Sequence, residues 1–244
     1  MCAWNPPPPD VPLPVHELHV WQAVTDQPDV VVHRLRSTLS PDELALADRF
    51  YFERDRRRFI VGRGVLRNLL GAYMHQPPDQ IVFNYNAYGK PASAAPLHFN
   101  VAHSHERVLF AFTAQAPIGI DVEYVPRVVN DMDRLAERFF APQENEAYRV
   151  LPEVEKRAAF FRCWTRKEAY IKALGTGLSH PLDRFVVSLA PDQPAALLSC
   201  IDDPQAMQRW LLIHLEPHSD YVGAIALESR SAQLMCWTWS DEGI

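Results

Sequence analysis

Apolar and polar residues alternate with a period of two along His16-Glu17-Leu18-His19-Val20-Trp21-Gln22-Ala23-Val24, which predicts a first strand. Ser40-Pro41-Asp42-Glu43 then combines a hydroxyl cap, a proline at the first helical position and acids in the first turn. It opens a helix expected to run to about Phe52. A second helix is expected from about Asp55, with Phe59, Gly62, Leu66, Leu69 and Leu70 on one side. Ile81-Val82-Phe83, Phe99 to His103 and Val108 to Thr113 read as strands, with a turn at Ala87-Tyr88-Gly89-Lys90-Pro91. Ile118 to Glu123 is a further strand whose Ile118, Ile120 and Val122 share one face. Beyond it, helical spacing covers about 131–149 and 153–174, and strands are expected at about 184–189, 209–215, 221–227 and 234–239. This order predicts an α+β fold with antiparallel sheets flanked by helices, in place of a doubly wound parallel sheet. A proline-rich tail (1–14) precedes an N-terminal half (15–115) and a C-terminal half (116–244), with the boundary near Ala114 to Pro117.

Composition narrows the classes. The 244 residues are 48% hydrophobic and 22% charged, which suits a folded chain with a core. No apolar run reaches the roughly 18 residues that span a bilayer, so no membrane role is expected. The start lacks the basic and apolar stretches of an export signal. Together with four cysteines (Cys2, Cys163, Cys200 and Cys236) free of any C-x-x-C pair, this predicts reduced thiols in the cytoplasm. A net charge of −6 argues against a nucleic-acid partner. Against that acidic background, Arg49, Arg54, Arg56, Arg57, Arg58, Arg63 and Arg67 crowd one short stretch. By charge alone they are a solvated helix face paired with Glu53 and Asp55.

Two carboxylates and one helix stripe carry the candidate chemistry. Asp121 and Glu123 lie two apart on a strand and so point the same way. Alone, such a pair is most often a solvated sheet face. On the helix of 153–174, Phe160, Cys163, Tyr170, Ile171 and Leu174 form a buried stripe, and Trp164, Glu168 and Lys172, each four apart, stack along an adjacent one. Gly175-Thr176-Gly177 closes the helix, as a C-cap or as a place where backbone approaches a ligand closely.

Taken together, Phe99-Asn100-Val101-Ala102-His103-Ser104, Ile118-Gly119-Ile120-Asp121-Val122-Glu123 and Phe161 through Lys172 resemble the monomeric, Sfp-type 4′-phosphopantetheinyl transferases. The family's G-[IV]-D-x-E and W-x-x-K-E-[AS]-x-x-K signatures are both complete. Tyr88-Gly89-Lys90-Pro91 and the Gly-Leu-Ser-x-Pro-Leu run from Gly177 also match, and the likeness covers roughly residues 40–190. It implies two similar α/β halves related by a pseudo-twofold, with coenzyme A between them. It further implies transfer of the phosphopantetheine arm of coenzyme A to a serine of an acyl, peptidyl or polyketide carrier protein, with release of 3′,5′-ADP, by a monomer.

The resemblance implies Asp121, Glu123 and Glu168 as Mg²⁺ ligands, and three hard oxygen donors suit that ion better than zinc. Glu168 is the candidate base for the serine proton, and Lys172 stands by the leaving phosphate. Lys90 and His103 are expected on coenzyme A phosphates, helped by Arg58 or Arg63, with Lys167 also reaching phosphate. The family's serine position holds Ala102, and positions that carry lysines in some members hold Glu43 and Leu46, so Arg49 or Arg54 is expected to replace those cations. A basic or apolar patch near 126–150 is expected to dock the carrier. The alternatives are a Mg²⁺-dependent phosphohydrolase or nuclease, and a non-catalytic binding module. G-x-S-x-G and G-x-x-x-x-G-K-[ST] are absent, and Gly62-Arg63-Gly64 lacks the third glycine of a dinucleotide fingerprint.

Overall fold

The computed structural model describes residues 3–8, 11–12, 16–92 and 96–241. The chain runs β1 (Glu17–Val24), α1 (Asp29–Ser37), α2 (Pro41–Ala47), α3 (Glu53–Met74), β2 (Asn84–Tyr85), β3 (Pro91–Ala92), β4 (His98–Ser104), β5 (Arg107–Thr113) and β6 (Ile118–Tyr124). It continues α4 (Met132–Phe139), α5 (Pro142–Arg149), α6 (Glu153–Leu174), β7 (Phe185–Val187), β8 (Leu197–Cys200), α7 (Ala206–Arg209), β9 (Leu211–Leu215), β10 (Tyr221–Leu227) and β11 (Gln233–Thr238).

The fold is α+β, built on a sheet of order β11-β1-β5-β4 and a second of order β6-β10-β9, with the small ribbons β2-β3 and β7-β8. Pairing is antiparallel except where β11 returns to lie parallel to β1. Side-chain alternation sorts the layers. Trp21, Phe110 and Phe112 of the first sheet pack under α1 and α3 with Val61, Val65 and Leu69. Its other face, with Leu18, Val20, Leu109 and Ala111, meets Ile118, Ile120 and Val122 of the second sheet. The far face of the second sheet lies against α6, where Ala224 and Ala226 join Phe160, Ala169 and Ile171. The two sheets also touch edge to edge. Asn100 Oδ1 accepts the Ile120 N–H (2.8 Å) and Ser104 Oγ accepts the Tyr124 N–H (3.0 Å).

Several expectations change. The helix from Pro41 stops at Ala47, and α1, which the pattern did not announce, precedes it. Ile81-Val82-Phe83 is not a strand, because the Arg67 guanidinium takes the carbonyls of Pro78 (2.9 Å) and Ile81 (3.0 Å). Within the proline-rich tail, Asn5 exchanges backbone hydrogen bonds with Cys236 and Thr238, and Val11 is buried, so these residues are held on the body. Cys163 and Cys200 are free and buried, whereas Cys236 is disulfide-bonded, which departs from four reduced thiols. Among the described residues, no helix is long and apolar enough to cross a membrane.

Candidate active site

The site is set by how closely α6 lies on β6. A Cβ on Gly119 would stand 2.0 Å from the Ala169 carbonyl oxygen and 2.4 Å from the Ala173 nitrogen, so only glycine admits the helix. That approach covers the odd-numbered face of β6. Asp121 and Glu123, which alone read as a solvated pair, are 6% and 9% exposed. Glu168 and Lys172, one turn apart on α6, come down over them. Lys172 Nζ donates to Asp121 Oδ1 at 2.6 Å. Glu123 accepts from Ser104 Oγ (2.9 Å) and from Arg127 Nη2 (2.9 Å).

Electrostatics follow from this crowding. Burial works against the Lys172 charge, but the adjoining Asp121 carboxylate prevails and holds the amine above its usual range. Burial and the neighbouring Asp121 charge push Glu123 up. Glu168, half-buried and without a side-chain hydrogen bond among the described residues, is pushed up to about 7 by burial and by the Asp121 carboxylate. His103 on β4 is lowered by burial and by Lys172, which places it within the electrostatic reach of the same group.

Beside the acids, α3 and β4 bound a cleft of about 460 Å³. Phe59, Leu66, Val101 and Val108 make its apolar lining, Arg58 and Arg63 supply its cations, and His103, His105 and Asp55 complete its polar rim. A smaller cavity of about 280 Å³ shares Arg58 and His105 and adds Arg54, Ser104, Tyr124 and Arg127. The structure therefore brings together Asp121, Glu123, Glu168 and Lys172, with His103 adjacent and Arg58 and Arg63 on the cleft.

The two lysines expected on phosphate are hydrogen-bonded to protein groups in this structure. Lys167 is fully buried on the other side of α6 and donates to the carbonyls of Leu182 and Phe185 and to Glu144 Oε2, each at 2.7 Å. Lys90 donates to the carbonyls of Ile118 (2.9 Å), Lys172 (2.7 Å) and Ala173 (3.3 Å). An ammonium has three donors, so neither lysine keeps one for a phosphate. Leu174, expected in the buried stripe, is 37% exposed. Glu43 is buried against Arg67 (2.6 Å) and Arg63 (3.1 Å). Motif reasoning passed over Arg127 and, while quoting Asn100 and Ser104 within the β4 motif, gave them no role. Asn100 and Ser104 carried a signal, being polar on the face of β4 that also buries Ala102.

Three carboxylates and no nearby thiolate form a donor set suited to a hard divalent cation. Asp121 Oδ2 is buried without a hydrogen-bond partner, an oxygen such an ion would satisfy. Among the described residues the acids are not gathered to ligand distance, since Lys172 holds Asp121 and Ser104 and Arg127 hold Glu123.

Comparison with known proteins gives a consistent result. Residues 117–226 match the model of the 4′-phosphopantetheinyl transferase superfamily, and residues 20–115 match that of the 4′-phosphopantetheinyl transferase N-terminal region. The chain is 41% identical over 239 residues to the 4′-phosphopantetheinyl transferase HetI of Nostoc sp., covering 96% of this chain and 97% of that one. It is 34% identical to the 4′-phosphopantetheinyl transferase Sfp of Bacillus subtilis, over 65% of this chain and 70% of the relative. A further relative is the putative 4′-phosphopantetheinyl transferase slr0495 of Synechocystis sp., 32% identical over 79% of this chain and 77% of that protein.

Proposed function

Since the chain belongs to the Sfp-type 4′-phosphopantetheinyl transferases, we propose that it moves the phosphopantetheine arm of coenzyme A onto a serine hydroxyl of a carrier protein. The by-product is 3′,5′-ADP, and the enzyme acts as a monomer in the cytoplasm. The observation that carries this reading is the burial of Asp121 and Glu123 beneath α6 within the electrostatic reach of Glu168, beside a cleft with an apolar lining and two arginines.

Such a cleft suits a phosphorylated nucleotide, with Arg58, Arg63 and His103 facing its phosphates and Phe59 and Leu66 lining it. Asp121, Glu123 and Glu168 would hold Mg²⁺, which supplies charge neutralisation at the phosphate oxygens. Lys172, kept protonated by Asp121, adds a fixed positive charge on the side of the leaving phosphate. Glu168 takes the proton of the attacking serine, a role that typically contributes about 10²–10⁴-fold. The acceptor docks beside the 126–150 segment, where Val128 and Val150 are exposed.

The test is a mass measurement. Incubated with coenzyme A, Mg²⁺ and a panel of apo carrier proteins, the enzyme is expected to add one phosphopantetheine arm to at least one carrier. An unmodified panel, with a known transferase active in parallel, would sink the reading.

A further inference from the structure

Arg162 and Arg166 lie one turn apart on α6, about 200° round the helix from Glu168. Arg166 is 2% exposed and Arg162 is half-buried. Their guanidiniums reach two successive carbonyls of the loop that follows β7. Arg166 Nη1 donates to the Ser188 carbonyl and to Ser188 Oγ (3.0 Å), and Arg162 Nε donates to the Leu189 carbonyl (2.9 Å). The two charges are therefore neighbours, and burial together with Arg162 lowers the Arg166 pKa. His214 of β9 completes the group, on the strand face it shares with Leu212, which packs in the core with Phe160 and Ala169 of α6. Burial lowers the His214 pKa, and Arg166 and Arg162 add to the fall, whereas its hydrogen bond to Glu216 (3.2 Å) opposes it.

No acid answers these charges at close range. The other large buried cations of the fold are paired, Arg67 with Glu43 at 2.6 Å and Lys167 with Glu144 at 2.7 Å. Among the described residues no carboxylate forms an ion pair with Arg162 or Arg166, and Glu155 and Glu216 act on Arg162 only from farther off. Three nitrogens of the group are buried without a hydrogen-bond partner: Arg162 Nη2, Arg166 Nε and His214 Nδ1. A buried guanidinium without a counter-charge is among the costliest arrangements in a protein. Carbonyls and water satisfy its hydrogen bonds but leave its charge. A small anion supplies both, and the guanidinium fork is suited to holding one.

We propose that Arg162, Arg166 and His214 form a binding site for a small inorganic anion, chloride or phosphate, which ties α6 to β9 and to the 188–196 loop. The anion is a structural ligand outside the transfer chemistry, so the proposal stands apart from the transferase reading. The loop is shaped to take part. Ser188 Oγ donates to the Pro194 carbonyl (2.7 Å) and accepts the Ala196 N–H (2.9 Å), which fixes the backbone whose carbonyls hold the two guanidiniums.

The experiment melts the full chain at fixed ionic strength in sodium gluconate, replaced stepwise by sodium chloride or by sodium phosphate. In the wild type at least one of the two is expected to raise Tm saturably, by about 5–10 °C at a hundredfold excess over its Kd. A response to chloride marks a halide site, and a response to phosphate alone marks an oxyanion site. Arg166→Met is expected to lose the shift. Should that variant fail to fold, Arg162→Met decides, with the midpoint of the response moved to at least about tenfold higher anion. Arg63→Met, on the cleft between α3 and β4, is the control and is expected to respond as the wild type does. The proposal is overturned if neither salt gives a saturable rise in the wild type, or if Arg162→Met and Arg166→Met keep the full response. A response abolished by Arg63→Met overturns it too, since the anion would then sit in the cleft.

Discussion

The N-terminal and C-terminal stretches of this molecule repeat one order of elements around different side chains. The order β1-α1-α2-α3-β4-β5 recurs as β6-α4-α5-α6-β9-β10, and the sheet orders β1-β5-β4 and β6-β10-β9 correspond. Helices α3 and α6 both have 22 residues. Each carries a buried basic residue at the same place, Arg67 or Lys167. Each of these pairs with the glutamate third in a proline-led short helix, Glu43 or Glu144, and also binds two carbonyls further along the chain. This recurrence supports the reading of two related halves. The next residue marks the divergence, since Asn68 follows Arg67 whereas Glu168 follows Lys167, and one turn later Ala72 stands against Lys172. The shared parts are the buried braces, and the parts that differ face the candidate site. The first half keeps arginines on an open cleft, and the second keeps acids under its helix.

The largest expected effect separates the halves outright. Asp121→Asn is expected to lower carrier modification by more than about 10³-fold, while Asn68→Glu changes it less than about twofold. Comparable losses in the two variants, read by the mass of the product, would erase the functional division. Next in size are the braces. Lys167→Met strands a buried Glu144 and is expected to cost about 3–5 kcal/mol in denaturant unfolding. Arg67→Met costs less because Arg63 stays 3.1 Å from Glu43. Equal costs would break this part of the comparison.

The smallest effect concerns pH. Burial and the Asp121 charge raise Glu168 from 4.5 to about 7, so the folded state favours its proton. Its contribution to stability is full below 4.5 and is lost as pH rises through about 7. In chelator, Glu168→Gln is therefore expected to melt higher than wild type above about pH 7, and the gap closes toward pH 4.5. A gap independent of pH would deny the acid cluster its electrostatic coupling.

The placement of the candidate site's acids and amine was legible because it depends on local periodicity. Asp121 and Glu123 share a face at a spacing of two, and Glu168 and Lys172 at a spacing of four, and these spacings survive any tertiary arrangement. What eluded the sequence lies in contacts between distant elements. Lys167 adjoins Glu168 in the chain but points about 100° away. Whether that side meets solvent or core depends on Leu182, Phe185 and Glu144, which cover it. Val30-Val31-Val32 opens α1 with a β-branched run that local propensity disfavours. Packing overrides it where a Cβ on Gly64 would come 2.7 Å from Leu35 Cβ. The apolar run Ile81-Val82-Phe83 reads as a strand until Arg67 claims the Ile81 carbonyl.

The return of β11 to β1 has a consequence for biosynthesis. Residues Glu17 to Gln22 have a neighbour along one edge only after Gln233 to Thr238 have left the ribosome. Until then β1 presents unpaired backbone groups, a template for pairing with another chain. A fragment ending before Gln233 would carry the same open edge, so cutting the polypeptide between its repeated motifs is expected to yield an aggregating first piece rather than a soluble module.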